Sequence, residues 1–396
     1  MSTSLLYQVY NIKGVIYKST QYLKNKVIFY AEISANYPKF CSKCNSNECI
    51  LKDKKKRLFY LIPFGRKKCF LSLQMHKMQC KNCNHKWWIK LPFMRNKSKL
   101  TKSFVKYVLE FAEITTIKFI AKFLNLNWNT VKNIHKTNLE KTYKRISLKE
   151  ITTIAMDEFS IRKGHSYITI FIDLKTGRII HAVEGRSKEA IFPFLKKIKK
   201  HAKNLKAIAM DMSGSYYSAV KEVLNHIDIV FDHFHAIALM NKAIDELRRE
   251  ESSNINSLKG VRFLLLKNYD SLDTNGMERL NALLAINQPL FIAHALKEQL
   301  RLFWDKKNYD EAKIFLEKWC LDALLSNIRV LVKIAKTFHK YSKGLLNYFK
   351  YRISTGTAEG INNKIKTMKR QAYGYRDFEY FKLKLYDLHN KQLALI

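Results

Sequence analysis

Two pairs of cysteines and a set of strand-ending carboxylates are the residues whose types and spacing could do chemistry in this chain. Cys41-Ser-Lys-Cys44 and Cys80-Lys-Asn-Cys83 are knuckles in which two thiolates reach one tetrahedral ion. Four thiolates leave no open coordination position, so the expected occupant is a structural Zn²⁺ that serves folding and DNA docking. Cys49 and Cys69 read as bystanders, His76 and His85 as weaker ligand candidates, and Cys320 as core. The carboxylates belong to a repeated pattern, an apolar run that stops at an aspartate. Ile151 to Met156 stops at Asp157, LKAIAMD ends at Asp211, and IDIVFD ends at Asp232. A carboxylate ending a buried strand is costly unless it is exposed, hydrogen-bonded or bound to a cation.

The elements that must position these groups follow from hydrophobic period. Ile151–Met156 and Tyr167–Ile172 form a hairpin across a basic turn holding Arg162, Lys163 and Gly164, and Arg178–Val183 adds a third strand. A helix follows near 188–201, then a strand at Ala207–Met210, a helix from Ser213 to Val223, a strand at Ile227–Phe231 and a further helix. Three meandering strands and then alternating helices and strands give the order of an RNase H-like fold, a mixed five-stranded sheet with helices on both faces. Strands one and four of such a sheet are neighbours, so Asp157 and Asp211 should meet, and two adjacent carboxylates repel unless a divalent cation lies between them. Glu158 is the rival to Asp157, but alternation in a strand points it to the opposite face. Asp173 and Glu184 read as surface carboxylates, and His165 and Arg162 as phosphate contacts.

Residues 236–350 carry only helical periodicity, with Trp304 and Trp319 packing the core and Lys333, Lys336 and Lys340 free to line a DNA path. Thr355-Gly-Thr357 then signals a helix start with Glu359 in its first turn. A Glu there usually serves the helix dipole, and Glu359 gains weight as the third member of an acidic set. Lys364, Lys366, Lys369 and Arg370 follow it. Towards the N-terminus, helices near 103–113, 115–124 and 128–139 end in a basic amphipathic segment, as in a helix-turn-helix reader of the major groove.

The expected fold class is therefore multidomain α+β. It comprises a lead-in of unknown role (1–36), a zinc ribbon (37–98), a helix-turn-helix domain (99–148), the first part of an RNase H-like core (149–240), an all-helical insertion (241–350) and a C-terminal helical part of the core (351–396). Lys and Arg total 72 against 33 Asp and Glu, a net charge of +39 spread along the chain, which favours double-stranded DNA as partner. No apolar run is long enough to span a membrane, and the N-terminus lacks the order of a secretory signal. Seven cysteines, an odd number clustered early, suit a reduced compartment, hence a cytoplasmic location.

From about residue 40 onward the chain resembles the DDE transposases of bacterial insertion sequences, specifically the ISL-three family with its N-terminal zinc-binding domain. The carrying segments are the two knuckles, MDEFSIRKGHSYITIFIDLKTGRIIHAVEGRS, AMDMSGSY, FDHFHAIALMNKAID and TGTAEGINNKIKTMKRQAYGYRDFEYFKLKLY. The resemblance implies Asp157, Asp211 and Glu359 as a catalytic triad, with successive members 54 and 148 positions apart. It implies two Mg²⁺ ions, with Mn²⁺ as a substitute, in a clamp for in-line displacement at phosphorus. Asp232 and His235 also match the family pattern, as supports of the site. Arg162, Lys163, Lys364, Lys369 and Arg370 are candidate DNA contacts. Implied too are binding of terminal inverted repeats, cleavage and strand transfer, nucleoid association, and a homodimer or higher assembly on paired ends. The competing readings are a catalytically inactive zinc-bearing DNA-binding regulator and an RNase H-like nuclease without strand transfer.

Overall fold

The computed structural model describes residues 5–95, 98–162, 166–252 and 261–389, with the side chains of 161, 162 and 166 left out. The chain divides into two compact units, residues 1–142 with 391–396 and residues 143–390.

The first unit begins with α1 (Leu5–Gln8), β1 (Val15–Tyr22) and β2 (Lys26–Ile33) and continues with β3 (Cys49–Phe64), β4 (Lys67–Cys80) and β5 (Lys86–Trp88). The sheet order is β1-β2-β4-β3 with β5 on β4, and β2 runs parallel to β4. Residues 1–36 are thus more than a lead-in, since they supply two strands of this sheet. Alternation decides its faces: Val27, Phe29, Ala31 and Ile33 of β2 meet Leu71, Leu73 and Met75 of β4 in one apolar layer. The Lys52–Arg57 stretch of β3 stays exposed. Then come α2 (Lys102–Ile114), α3 (Ile117–Leu124) and α4 (Trp128–Thr142), packed around Phe104, Val108, Ile120, Leu124 and Val131. Thr101 and Thr116 cap α2 and α3 through their hydroxyls, and Asn125 ends α3 in the left-handed region at φ 50°.

The second unit is built on β6 (Thr153–Arg162), β7 (Ser166–Asp173), β8 (Arg178–Glu184), β9 (Ala207–Met210) and β10 (Asp228–Phe231), in the order β10-β9-β6-β7-β8. β6, β7 and β8 are an antiparallel meander, and β9 and β10 extend it in parallel from β6. Between them lie α5 (Lys188–His201) and α6 (Gly214–Val223), and after β10 come α7 (His233–Glu251) and α8 (Arg262–Leu266). The helices α9 (Thr274–Ile286), α10 (Gln288–Arg301), α11 (Tyr309–Leu325), α12 (Arg329–Lys340) and α13 (Ser342–Tyr351) precede α14 (Gly356–Gln371) and α15 (Phe378–Asp387). The helical block shares one apolar core with the sheet, a cluster reaching from Leu148 through Phe231 to Phe349. Its last helix, α13, lies against β10, where Asn347 Nδ2 donates to the Ile229 carbonyl at 2.8 Å. Trp304 and Trp319 pack in this block, and Trp319 donates to the Leu296 carbonyl at 2.8 Å.

One expectation fails at the strand the site is built on. β6 does not stop at Asp157 but runs on to Arg162, paired with β7 through Asp157 with Ile170 and Glu158 with Thr169. What stops near Asp157 is its other neighbour, since pairing with β9 ends at Ala155 with Ala209. The aspartate therefore lies where one edge of β6 has lost its partner.

Candidate active site and thiolate cluster

Alternation along β6 sorts its side chains. Ile154 and Met156 enter the core shared with α5 and α6, and Glu158 follows them, meeting the Tyr216 hydroxyl at 3.4 Å and Arg186 at 3.7 Å. Asp157 and Phe159 point to the opposite face, the former to α14 and the latter to Phe381 of α15. Each oxygen of Asp157 is held: Oδ1 accepts from the Glu158 backbone at 2.7 Å and Oδ2 accepts from Asn362 Nδ2 at 2.7 Å. Burial first, and then the charge of Asp211, pushes its carboxyl above the ordinary range.

Asp211 leaves β9, and its Oδ1 lies 2.6 Å from Nε2 of His235 on α7. The two groups form an ion pair whenever the imidazole is protonated. The hydrogen-bonding reach of Asp211 raises the His235 pKa against the opposing effect of burial, which favours the imidazolium beside the two carboxylates. Asp232 is 2% exposed, caps α7 by accepting from the Phe234 backbone at 3.4 Å, and accepts from the Thr355 hydroxyl at the head of α14. Thr355 thus spends its hydroxyl on Asp232 rather than on its own helix.

Glu359 stands in the first turn of α14, exposed, with no hydrogen bond or ion pair to either aspartate. Asn362, one turn later, is the residue that reaches Asp157, and nothing in its type or spacing singled it out beforehand. Lys369 Nζ donates to the Ser160 carbonyl at 3.3 Å, and Lys364 and Arg370 are exposed. Lys163 lies outside the described residues, as does the side chain of Arg162.

In the first unit Cys41, Cys44, Cys80 and Cys83 place their sulfurs within 4.8 Å of one another, the one such group among the described residues. The pairs Cys41–Cys83 and Cys44–Cys80 are 3.5 Å apart, too far for disulfides. Zn–S bonds of about 2.3 Å would put tetrahedral sulfurs about 3.8 Å apart, so the cluster suits zinc. Each knuckle closes on an asparagine in the left-handed region, Asn45 at φ 58° and Asn84 at φ 55°, where asparagine is more readily accommodated than most side chains. The Cys83 backbone N–H, with other donors, pushes the Cys80 thiol down to about 6, towards thiolate. Cys49 donates instead to the Ser46 carbonyl at 3.5 Å, Cys69 is buried on β4, and His85 meets Ser42 at 3.1 Å.

The same unit has a groove of about 720 Å³ whose lining includes Lys90, Arg95, Lys102 and Lys141 with Tyr37 and Asn138. No helix among the described residues is long and apolar enough to cross a membrane.

Residues 154–385 match the model of a transposase family, DDE_Tnp_ISL3. The chain is 30% identical over 333 residues to the transposase for insertion sequence element IS1001 of Bordetella parapertussis, covering 82% of each. It is 23% identical over 345 residues to the transposase for insertion sequence element IS1557 of Mycobacterium tuberculosis, covering 80% of this chain and 77% of the other. A solved Drosophila P element transposase strand transfer complex is similar at 10% identity and a TM-score of 0.38, covering 76% of this chain and 94% of that one. A likeness that slight carries no argument.

Proposed function

The chain belongs to the ISL-three (ISL3) family of insertion-sequence transposases, and on that premise we propose that it cuts the ends of its element and joins them to target DNA at Asp157, Asp211 and Glu359. The observation that carries this is the approach of Asp157 and Asp211 on one face of β6 and β9. The register of β6 on β9, Ala155 against Ala209, brings the two positions into step, burial and then the charge of Asp211 lift the Asp157 carboxyl, and the helix bearing Glu359 is docked alongside. The strand order β10-β9-β6-β7-β8, with three antiparallel strands extended by two parallel ones, supports an RNase H-like core. The α3–α4 pair with its three-residue turn supports a helix-turn-helix, and the sheet with its cysteine knuckles supports a zinc ribbon.

Asp157 and Asp211 suit a divalent cation such as Mg²⁺ or Mn²⁺, and Glu359, exposed one turn before Asn362, would have to turn towards them to complete the set. The donors are hard carboxylate oxygens, and the Asp157 carboxyl is raised by burial and by the charge of Asp211, a repulsion that a cation would relieve. Held by Asp157, Asp211 and Glu359, such ions supply activation of the attacking oxygen and stabilisation of the leaving one. Asp157 is kept in one orientation by a strand N–H and a helix amide. His235, whose pKa Asp211 raises, sets its imidazole 2.6 Å from that carboxylate, where its protonated form would offset part of the paired negative charge. Asp232, through Thr355, fixes the start of α14 and with it the place of Glu359. Cys41, Cys44, Cys80 and Cys83 would hold a structural Zn²⁺. The DNA itself is proposed to lie on basic surfaces, among them the groove of Lys90, Arg95, Lys102 and Lys141. Pairing of two ends calls for a homodimer or larger assembly.

The test incubates the full chain with DNA carrying the element's ends, in Mg²⁺ or EDTA, beside Glu359→Gln. Metal-dependent nicking and joining, lost in the variant while end binding persists, is expected. Binding without cleavage in any divalent metal would leave a regulator, and cleavage without joining a nuclease; either would overturn the assignment.

A further inference from the structure

We propose that Asn362 is a positioning residue for strand cleavage, orienting the Asp157 carboxylate through Nδ2 while keeping Oδ1 open to a donor on the substrate side. This rests on the reading of Asp157 and Asp211 as the reacting site's carboxylates. The Nδ2 to Oδ2 contact of 2.7 Å bridges a strand and a helix 205 residues apart in sequence. The other oxygen of Asp157 is fixed by its own strand, at 2.7 Å from the Glu158 nitrogen. The carboxylate is therefore pinned at both ends, and Asn362 is the one of the two pins that is a side chain.

Register shows that the contact is built in rather than a rotamer accident. Lys369, seven residues after Asn362, reaches the Ser160 carbonyl, three residues after Asp157. Seven helical residues rise about 10.5 Å and three strand residues about 10 Å, so α14 and β6 run side by side in step. Ile361 and Ile365, both buried, fix the rotation of the helix that makes this possible.

The second observation is the amide oxygen. Asn362 Oδ1 is buried and has no donor. An unpaired buried carbonyl costs about 1–3 kcal/mol, and its persistence at a polar site calls for a partner that arrives later. The attacking group in each step of the proposed reaction, a water and then a 3′-hydroxyl, carries an O–H able to donate to it. An amide oxygen does not take up that proton at neutral pH, so Asn362 orients the attacking group and leaves proton removal to others.

The experiment compares the full chain with Asn362→Ala, Asn362→Asp and Asp157→Asn. It measures end-cleavage rate at saturating DNA, KM for end DNA, Mn²⁺ affinity by calorimetry without DNA, and melting temperature in EDTA. Asn362→Asp keeps the size and Oδ1 but exchanges the N–H donor for a second, charged oxygen. Asn362→Ala should lose about 10–100-fold in kcat and a similar factor in Mn²⁺ affinity, as expected for a residue that orients a ligand, and Asn362→Asp, which sets a second carboxylate against Asp157, should lose cleavage while keeping Mn²⁺ binding. KM and the melting temperature in EDTA should stay near wild type in Asn362→Ala. Wild-type kcat in Asn362→Ala, or a loss that tracks melting temperature with Mn²⁺ affinity intact, would overturn the positioning role. If Asp157→Asn itself keeps wild-type cleavage and Mn²⁺ binding, the site assignment fails first, and the inference goes with it.

Discussion

Substituting Gly344 tests whether the helical block and the active-site sheet are one mechanical body. Gly344 lies in α13 where it crosses β10, and a Cβ built there would sit 2.4 Å from two ring carbons of Phe231. Ordinary carbon–carbon contacts are about 3.5–4.0 Å, so Gly344→Ala demands a shift of about 1 Å by ring or helix. The ring has little room to give: Phe231 is 0% exposed and packs against Tyr341 at 5.2 Å and Tyr217 at 6.1 Å. Overpacking of this kind costs about 1–3 kcal/mol. Alanine's helix propensity returns at most about 1 kcal/mol, which leaves a net loss of about 0–2 kcal/mol, towards the upper end because the ring is hemmed in. The shift would also fall on Phe231, the residue before Asp232, which holds Thr355 and the head of α14. Urea unfolding of the full chain should show a lower midpoint with an unchanged slope, and end cleavage should fall more than end binding. A midpoint equal to or above that of wild type would refute both the packing argument and the claimed rigidity of the α13–β10 seam.

Removing the proposed zinc, by chelation or by Cys44→Ser, should release about one Zn²⁺ per chain and expose 41–88 to protease, since metal binding and local folding are one equilibrium. A protease pattern unchanged after chelation would sink the structural role of the four thiolates. His294 is 5% exposed, with the Lys297 ammonium at 3.5 Å and Glu298 at 3.8 Å, and burial pushes it down to about 4. Its folded pKa lies below the unfolded value of about 6.5, so the associated stability is complete above that pH and is lost as pH falls towards 4, reaching about 2 kcal/mol at pH 5. Thermal melts at pH 7.5 and pH 5 should therefore show a smaller acid-induced drop in His294→Leu than in wild type. Equal drops would mean that His294 is not the group responsible.

The sequence determined what depends on near neighbours. Two Cys-x2-Cys knuckles, each followed by an asparagine able to take positive φ, specify their turns within a few residues. Apolar period 2 or 3.6 specified β7, β8, β9, α5 and α4 closely, because a side chain's face follows from its own position in the chain. The same local logic separated Asp157 from Glu158 by face. Tertiary structure decided whatever depends on partners far along the chain. β6 continues past Asp157 because β7 goes on pairing with it, which no apolar run could report. Residues 1–36 became two strands because β2 found β4 as a parallel neighbour about 40 residues away. The helical block, legible as helices, turned out to share its core with the sheet. Above all, the residue of α14 that meets Asp157 was fixed by helix rotation. Burial of Ile361 and Ile365 turns Asn362 towards β6 and leaves Glu359 exposed one turn earlier. A sequence gives the order of residues around a helix, but only packing gives the angle at which the helix docks.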